Sequence, residues 1–170
     1  VLVATAADSA YFPLALALAA SVRANPGRTA AALGLIDLGL STAQIDSARA
    51  AGFTVVAPRL DLLPERLRHA TRPGLLAMGT RVFLPQHFPD AEVLVWIDAD
   101  AWVQCGWALD LLVDGARREG FAVVPELHHG YDFIFDPSMT NPVRDMHFLA
   151  HKGFYGEATA RALALVPVLN

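Results

Sequence analysis

The sequence predicts an α/β fold: a mostly parallel, Rossmann-like sheet with helices on both faces. Three observations carry that expectation. Apolar runs of strand length alternate with helical patterns along the chain, as they do where a helix carries each strand over to the next. A Ser41-Thr42-Ala43-Gln44 capping box opens one of those helices. Two carboxylates, Asp98 and Asp100, stand where the clearest apolar run ends, and open parallel sheets gather ligands at the carboxyl ends of their strands.

Val1 to Thr5 reads as the first buried strand, and Tyr11 to Ala24 as the helix after it. Pro13 is tolerated in that helix's first turn, and Asn25-Pro26-Gly27 stops it. Leu33 to Leu38 is a second strand, the capping-box helix ends near Gly52, and Phe53 to Val56 is a third strand. The stretch from Pro58 to Pro73 is irregular and too long for an ordinary connection. Leu75 to Phe83 predicts a short helix, Val93 to Ile97 a buried strand, Ala108 to Arg118 a helix and Phe121 to Val124 a further strand. Residues Pro125 to Gly156 read as loop-rich. Repeats, low-complexity tracts and interdomain linkers are absent from the sequence.

The 170 residues suit one domain with one sizeable core. With 54% apolar and 18% charged residues, the chain is neither disordered nor a solvated tail. Its net charge is −4 and its thirteen Lys and Arg are scattered, which argues against a nucleic-acid partner. Phe12 to Ala20 is too short to span a bilayer. The single cysteine, Cys105, fits a reducing, cytoplasmic setting and excludes a disulfide framework or a cysteine-rich zinc site. The chain opens in a strand-like run without Met and closes on another, Val168-Leu169-Asn170, so both ends are expected to continue.

The chemistry centres on Ile97-Asp98-Ala99-Asp100. In extended backbone, residues two apart face the same way, so both carboxylates converge while Ala99 turns aside. Such a pair repels unless a cation or proton lies between its members. Mn²⁺ or Mg²⁺ suits it, since these hard cations take oxygen ligands and bind phosphates together with them. The alternative is a surface turn whose aspartates cap the next helix. Asp8 and Tyr11 follow the first strand, which neighbours the fourth in a sheet of order 3-2-1-4. They flank the ligand crevice, where Asp8 can accept a base N–H and Tyr11 offers a ring; otherwise Asp8 or Ser9 caps the first helix.

Together, Thr5-Ala6-Ala7-Asp8-Ser9-Ala10-Tyr11, Arg81 and Val95-Trp96-Ile97-Asp98-Ala99-Asp100 resemble glycosyltransferase family 8. The resemblance implies a GT-A fold, a UDP-sugar donor, Mn²⁺ and transfer with retention. It implies that Thr5, Ala6 and Ala99 border the donor, and that Asp8 and Tyr11 bind the uracil. By the same resemblance, Arg81 approaches the nucleotide-sugar and Asp98 and Asp100 bind the metal. Asn170 resembles the start of the family's Asn-Ala-Gly motif near the sugar. Three features differ: Gly79 stands where the family has an aromatic residue, Trp96-Ile97 replaces a Tyr-Leu pair, and the family's metal-binding histidine would lie beyond Asn170.

The other candidates point less sharply. His128 and His129 are adjacent and so diverge; with Glu126, Tyr131 and Asp132 they are candidates for an acceptor groove within loops at about 126–160. His147 and His151 have helical zinc-pair spacing but lack the glutamate that zincins carry after the first histidine. Trp96, Trp102 and Trp107 read as core residues in preference to sugar platforms, with Trp102 close to the expected metal. The expectation is a single GT-A nucleotide-sugar-binding domain over 1–170, incomplete at its C-terminus. It would transfer sugar from a UDP-sugar to an acceptor hydroxyl, with acceptor and catalytic base unassigned. The rivals are a haloacid-dehalogenase-type phosphohydrolase and a nucleotide-binding module without catalysis.

Overall fold

A computed structural model of the protein describes residues 1–28, 30–63, 65 and 73–124. The chain divides into two units, Val1–Ala122 and Val123–Asn170, and the second lies almost wholly outside the described residues. Asn170, the four histidines from His128 to His151 and the loops at about 126–160 therefore also lie outside them.

Strand β1 (Leu2–Ala7) is followed by α1 (Phe12–Ala24), β2 (Ala32–Asp37), α2 (Thr42–Ala50) and β3 (Phe53–Val56). A 3-10 turn at Leu60–Leu62 precedes α3 (Pro73–Thr80), a second 3-10 turn at Arg81–Phe83 and the short α4 (Leu84–His87). Then come β4 (Leu94–Trp96) and α5 (Gly106–Glu119). The four strands form one sheet in the order β3-β2-β1-β4, parallel throughout, as the sequence predicts.

Strand β1 lies between β2 and β4, and all six of its residues are buried. Its side chains alternate between two cores. Val3 and Ala7 join Phe12, Leu18 and Val22 of α1 and Leu109 and Val113 of α5. Leu2, Ala4 and Ala6 join Ile36, Leu84 and Phe88 on the opposite face. Helices thus cover both faces, the arrangement a parallel sheet requires. The capping box forms as expected: Ser41 Oγ accepts from the N–H of Gln44, and Gln44 Oε1 accepts from that of Ser41.

Three expectations need correction. Strand β4 covers Leu94–Trp96, although Val93 O accepts the N–H of Leu2 (2.9 Å) and Ile97 N–H reaches Ala4 O (3.0 Å). Phe121 to Val124 form no strand; Phe121, Val123 and Val124 are exposed, and their β propensity finds no partner among the described residues. Trp102 and Trp107 are not core residues but 64% and 63% exposed. Helix α5 turns Leu109 and Val113, four apart, toward the sheet, which leaves Trp107 and Leu111 facing outward. No helix among the described residues is long and apolar enough to cross a membrane.

One buried polar side chain anchors the segment before α3. His87 is 7% exposed; its Nε2 accepts the N–H of Arg59 (2.9 Å), which leaves Nδ1–H to donate to Phe83 O (2.8 Å). Replacing it with alanine strips both backbone groups of their partner. His87→Ala is expected to cost about 2 kcal/mol of stability in a urea titration. An unchanged midpoint would show that water replaces both bonds freely.

Candidate functional site

The site forms at the carboxyl ends of the neighbouring strands β1 and β4. Beyond Ala7 the chain turns at Asp8, whose Oδ1 accepts the N–H groups of Ala10 (3.0 Å) and Tyr11 (2.9 Å). Asp8 therefore closes the turn that leads into α1 with one oxygen, while the helix itself has Tyr11 at its N-cap and no side-chain cap bond. The loop is held from the side as well. Gln44 Nε2 donates to Ser9 O (3.1 Å), and the Ser9 hydroxyl lies 2.8 Å from Gln44 Oε1 and 2.9 Å from Gly39 O. The capping-box glutamine thus fixes both the start of α2 and the loop that carries Asp8. Tyr11 is half exposed beside it.

Beyond Trp96, the chain does not stay extended through the carboxylates. Ala101 N–H bonds to Asp98 O (3.0 Å), so Asp98–Ala101 is a β-turn. Asp98 and Asp100 are nonetheless both exposed, while Ala99 is buried in the core shared with α1 and α5. The separation of the two carboxylates from Ala99 survives, achieved by a turn in place of strand alternation. Trp96 Nε1–H donates to Asp98 Oδ1 at 2.7 Å.

A cavity of about 530 Å³ lies at this edge, within the usual range for small-ligand sites. Asp8, Tyr11, Arg81, Asp98, Ala99 and Asp100 all line it, with Ala6. Arg81 arrives from the 3-10 turn that follows α3. Thr5 does not reach the cavity: it is 1% exposed, and its hydroxyl has no hydrogen-bond partner among the described residues. Leu38, Met78 and Trp96 line the cavity too, although the sequence did not single them out for it. Signals for two of them existed. Leu38 follows β2 at the same sheet edge as Asp8, and Met78 lies three residues before Arg81, one helical turn away.

Among the described residues no cation forms an ion pair with Asp98 or Asp100, and no group of three His, Cys, Asp or Glu side chains is placed to hold a metal. A donor set of two open carboxylates fits a hard cation that takes its other ligands from water and phosphate. It does not fit a closed site for a softer metal.

No protein-family model matches the chain, and no curated protein sequence does. Among solved structures it is similar to an active-site mutant of LgtC, with a TM-score of 0.50, 20% identity, 66% of this chain covered and 41% of that one. The fold is GT-A, Rossmann-like. The galactosyltransferase LgtC in complex with donor and acceptor sugar analogs is also similar, with a TM-score of 0.48, 23% identity and coverage of 64% and 41%. The chain spans about two fifths of the LgtC chain.

Proposed function

We propose that this chain is the nucleotide-sugar-binding part of a metal-dependent glycosyltransferase that moves sugar from a UDP-sugar to an acceptor hydroxyl. The observation that carries the reading is the convergence of Asp8, Tyr11, Arg81, Asp98 and Asp100, from three separate stretches of chain, on one cavity at the ends of β1 and β4. The GT-A fold shared with LgtC supports it, as does the family 8 resemblance in the same residues.

In this reading the base end of the donor lies at Asp8 and Tyr11. The second oxygen of Asp8 accepts an imide N–H while the first keeps the turn closed, and the half-exposed Tyr11 ring offers a stacking face. Arg81 brings a fixed positive charge to the phosphates or the sugar. Asp98 and Asp100 would hold Mn²⁺ or Mg²⁺, which when bound neutralises charge on the departing diphosphate. Apolar Leu38 and Met78 limit water around the nucleoside. The acceptor and the group that activates it are left open.

Incubating the protein with UDP-sugars and Mn²⁺ tests the reading against its rivals. Release of free UDP supports a transferase; release of inorganic phosphate supports a phosphohydrolase; binding without release leaves a nucleotide-binding module. A sharper probe is Asp8→Asn. The amide oxygen can keep the bonds to Ala10 and Tyr11 but loses the carboxylate's charge, so UDP binding is expected to weaken about tenfold. Wild-type protein that binds ADP as tightly as UDP would argue against base reading by Asp8.

A further inference from the structure

Trp96 touches Asp98 in a way that packing alone does not require. Its backbone pairs with Ala4 in the β1–β4 ladder, and its side chain packs against the core formed by Leu2, Ile36 and Phe88. The ring is therefore held by a rigid element, yet its one polar atom donates to Asp98 Oδ1 at 2.7 Å, and both residues line the cavity. Asp98 itself is exposed, stands in a turn and has no other side-chain partner among the described residues. Without the indole, its carboxylate would be free to rotate.

We propose that Trp96 is a positioning residue that orients Asp98 for a divalent cation. This rests on the functional reading above. An indole N–H donates and cannot ligate, so it occupies Oδ1 without competing for metal. That leaves Oδ2 free to face the cation and favours one-oxygen coordination by Asp98. Outer-shell donors of this kind hold ligating carboxylates in place, and their loss typically weakens metal binding by one to two orders of magnitude. A tyrosine at this position would present its oxygen farther out and could itself accept or ligate. The tryptophan confines the role to orientation.

The test titrates Mn²⁺ into the protein with UDP present and follows free Mn²⁺ by electron paramagnetic resonance. Trp96→Phe keeps an aromatic side chain, though a smaller one, and removes the donor. It is expected to weaken Mn²⁺ binding about tenfold, and to weaken UDP binding more with Mn²⁺ present than with EDTA. Asp98→Ala is measured alongside. Loss of Mn²⁺ binding in Asp98→Ala with none in Trp96→Phe overturns the positioning role and leaves the metal reading intact. Unchanged Mn²⁺ binding in both overturns the two together.

A second measurement covers failure of Trp96→Phe to fold. With Trp102 and Trp107 changed to Phe, Trp96 is the only one of the chain's three tryptophans left. Its emission is expected to be quenched by paramagnetic Mn²⁺ and not by Mg²⁺. Mn²⁺ that binds without quenching it places the cation away from Asp98's indole partner and overturns the proposal.

Discussion

Asp100→Ala is expected to lose at least about 100-fold in Mn²⁺-dependent UDP affinity, more than removal of an outer-shell donor costs. In the proposed two-carboxylate site this substitution would remove half of the charged ligands. The fold should not follow. Asp100 is exposed, and its side chain makes no hydrogen bond or ion pair among the described residues. A surface change of this kind stays within about 0.5 kcal/mol, or roughly 2 °C in melting temperature. Calorimetry with and without EDTA separates the outcomes. EDTA should weaken UDP binding in the wild type and change nothing in the variant. Equal affinity of variant and wild type in Mn²⁺ would remove Asp100 from the metal site.

The parts of this site that local chemistry determines could be read from the residues. Buried runs such as Val1 to Thr5 carry no alternation, so they signal strands covered on both faces, and right-handed crossovers leave few orders for four of them. The capping box is a reciprocal pair of bonds between residues three apart, so it needs no tertiary information. Asp98 and Asp100 stood out because carboxylates rarely end a buried run without a reason.

What escaped depends on contacts distant in the chain, or on competition between two plausible uses of one residue. Asp98 to Ala101 form a turn, closed by the bond from Ala101 N–H to Asp98 O, although Ala99 joins the same core face as Val93 and Val95. Sequence alone reads Asp8 as either a helix cap or a ligand, whereas in the fold one of its oxygens closes the turn before α1. Trp96 reads from the sequence as a core residue. Its ring is indeed packed, but a tryptophan also carries a polar edge, and only the fold reveals where that edge emerges. Trp107 shows the opposite failure, since hydrophobicity alone does not say which face of α5 meets the sheet, and the exposed Trp102 lies outside any helix or strand.

The largest expected loss of stability lies away from the carboxylates, at the joint that supports them. Gly106 opens α5, where a Cβ would sit 2.0 Å from Pro26 O, 2.5 Å from Pro26 C and 2.9 Å from Gly27 N. All three are backbone atoms, so no rotamer change relieves the clash. The surroundings cannot give way cheaply either. Asn25 Nδ2 donates to Val103 O (3.0 Å), Val103 N–H to Ser21 Oγ (2.9 Å) and Arg28 N–H to Asp110 Oδ1 (2.8 Å). These bonds tie the end of α1 to the segment that descends from Asp100. Gly106→Ala must break some of them, at an expected cost of about 3 kcal/mol, or a fall of roughly 6–12 °C in melting temperature. Gly74→Ala is the control: it sits in α3 with nothing within 4 Å of the added methyl group, and should melt no lower than wild type. Because Val103 lies three residues after Asp100, any shift of α5 also pulls on the Asp98–Ala101 turn. Surviving Gly106→Ala protein should therefore bind Mn²⁺ and UDP more weakly at temperatures where it is still folded. A variant that melts with the wild type would show that α1 and α5 are not in contact at Pro26, and that the turn carrying both aspartates is held by other means.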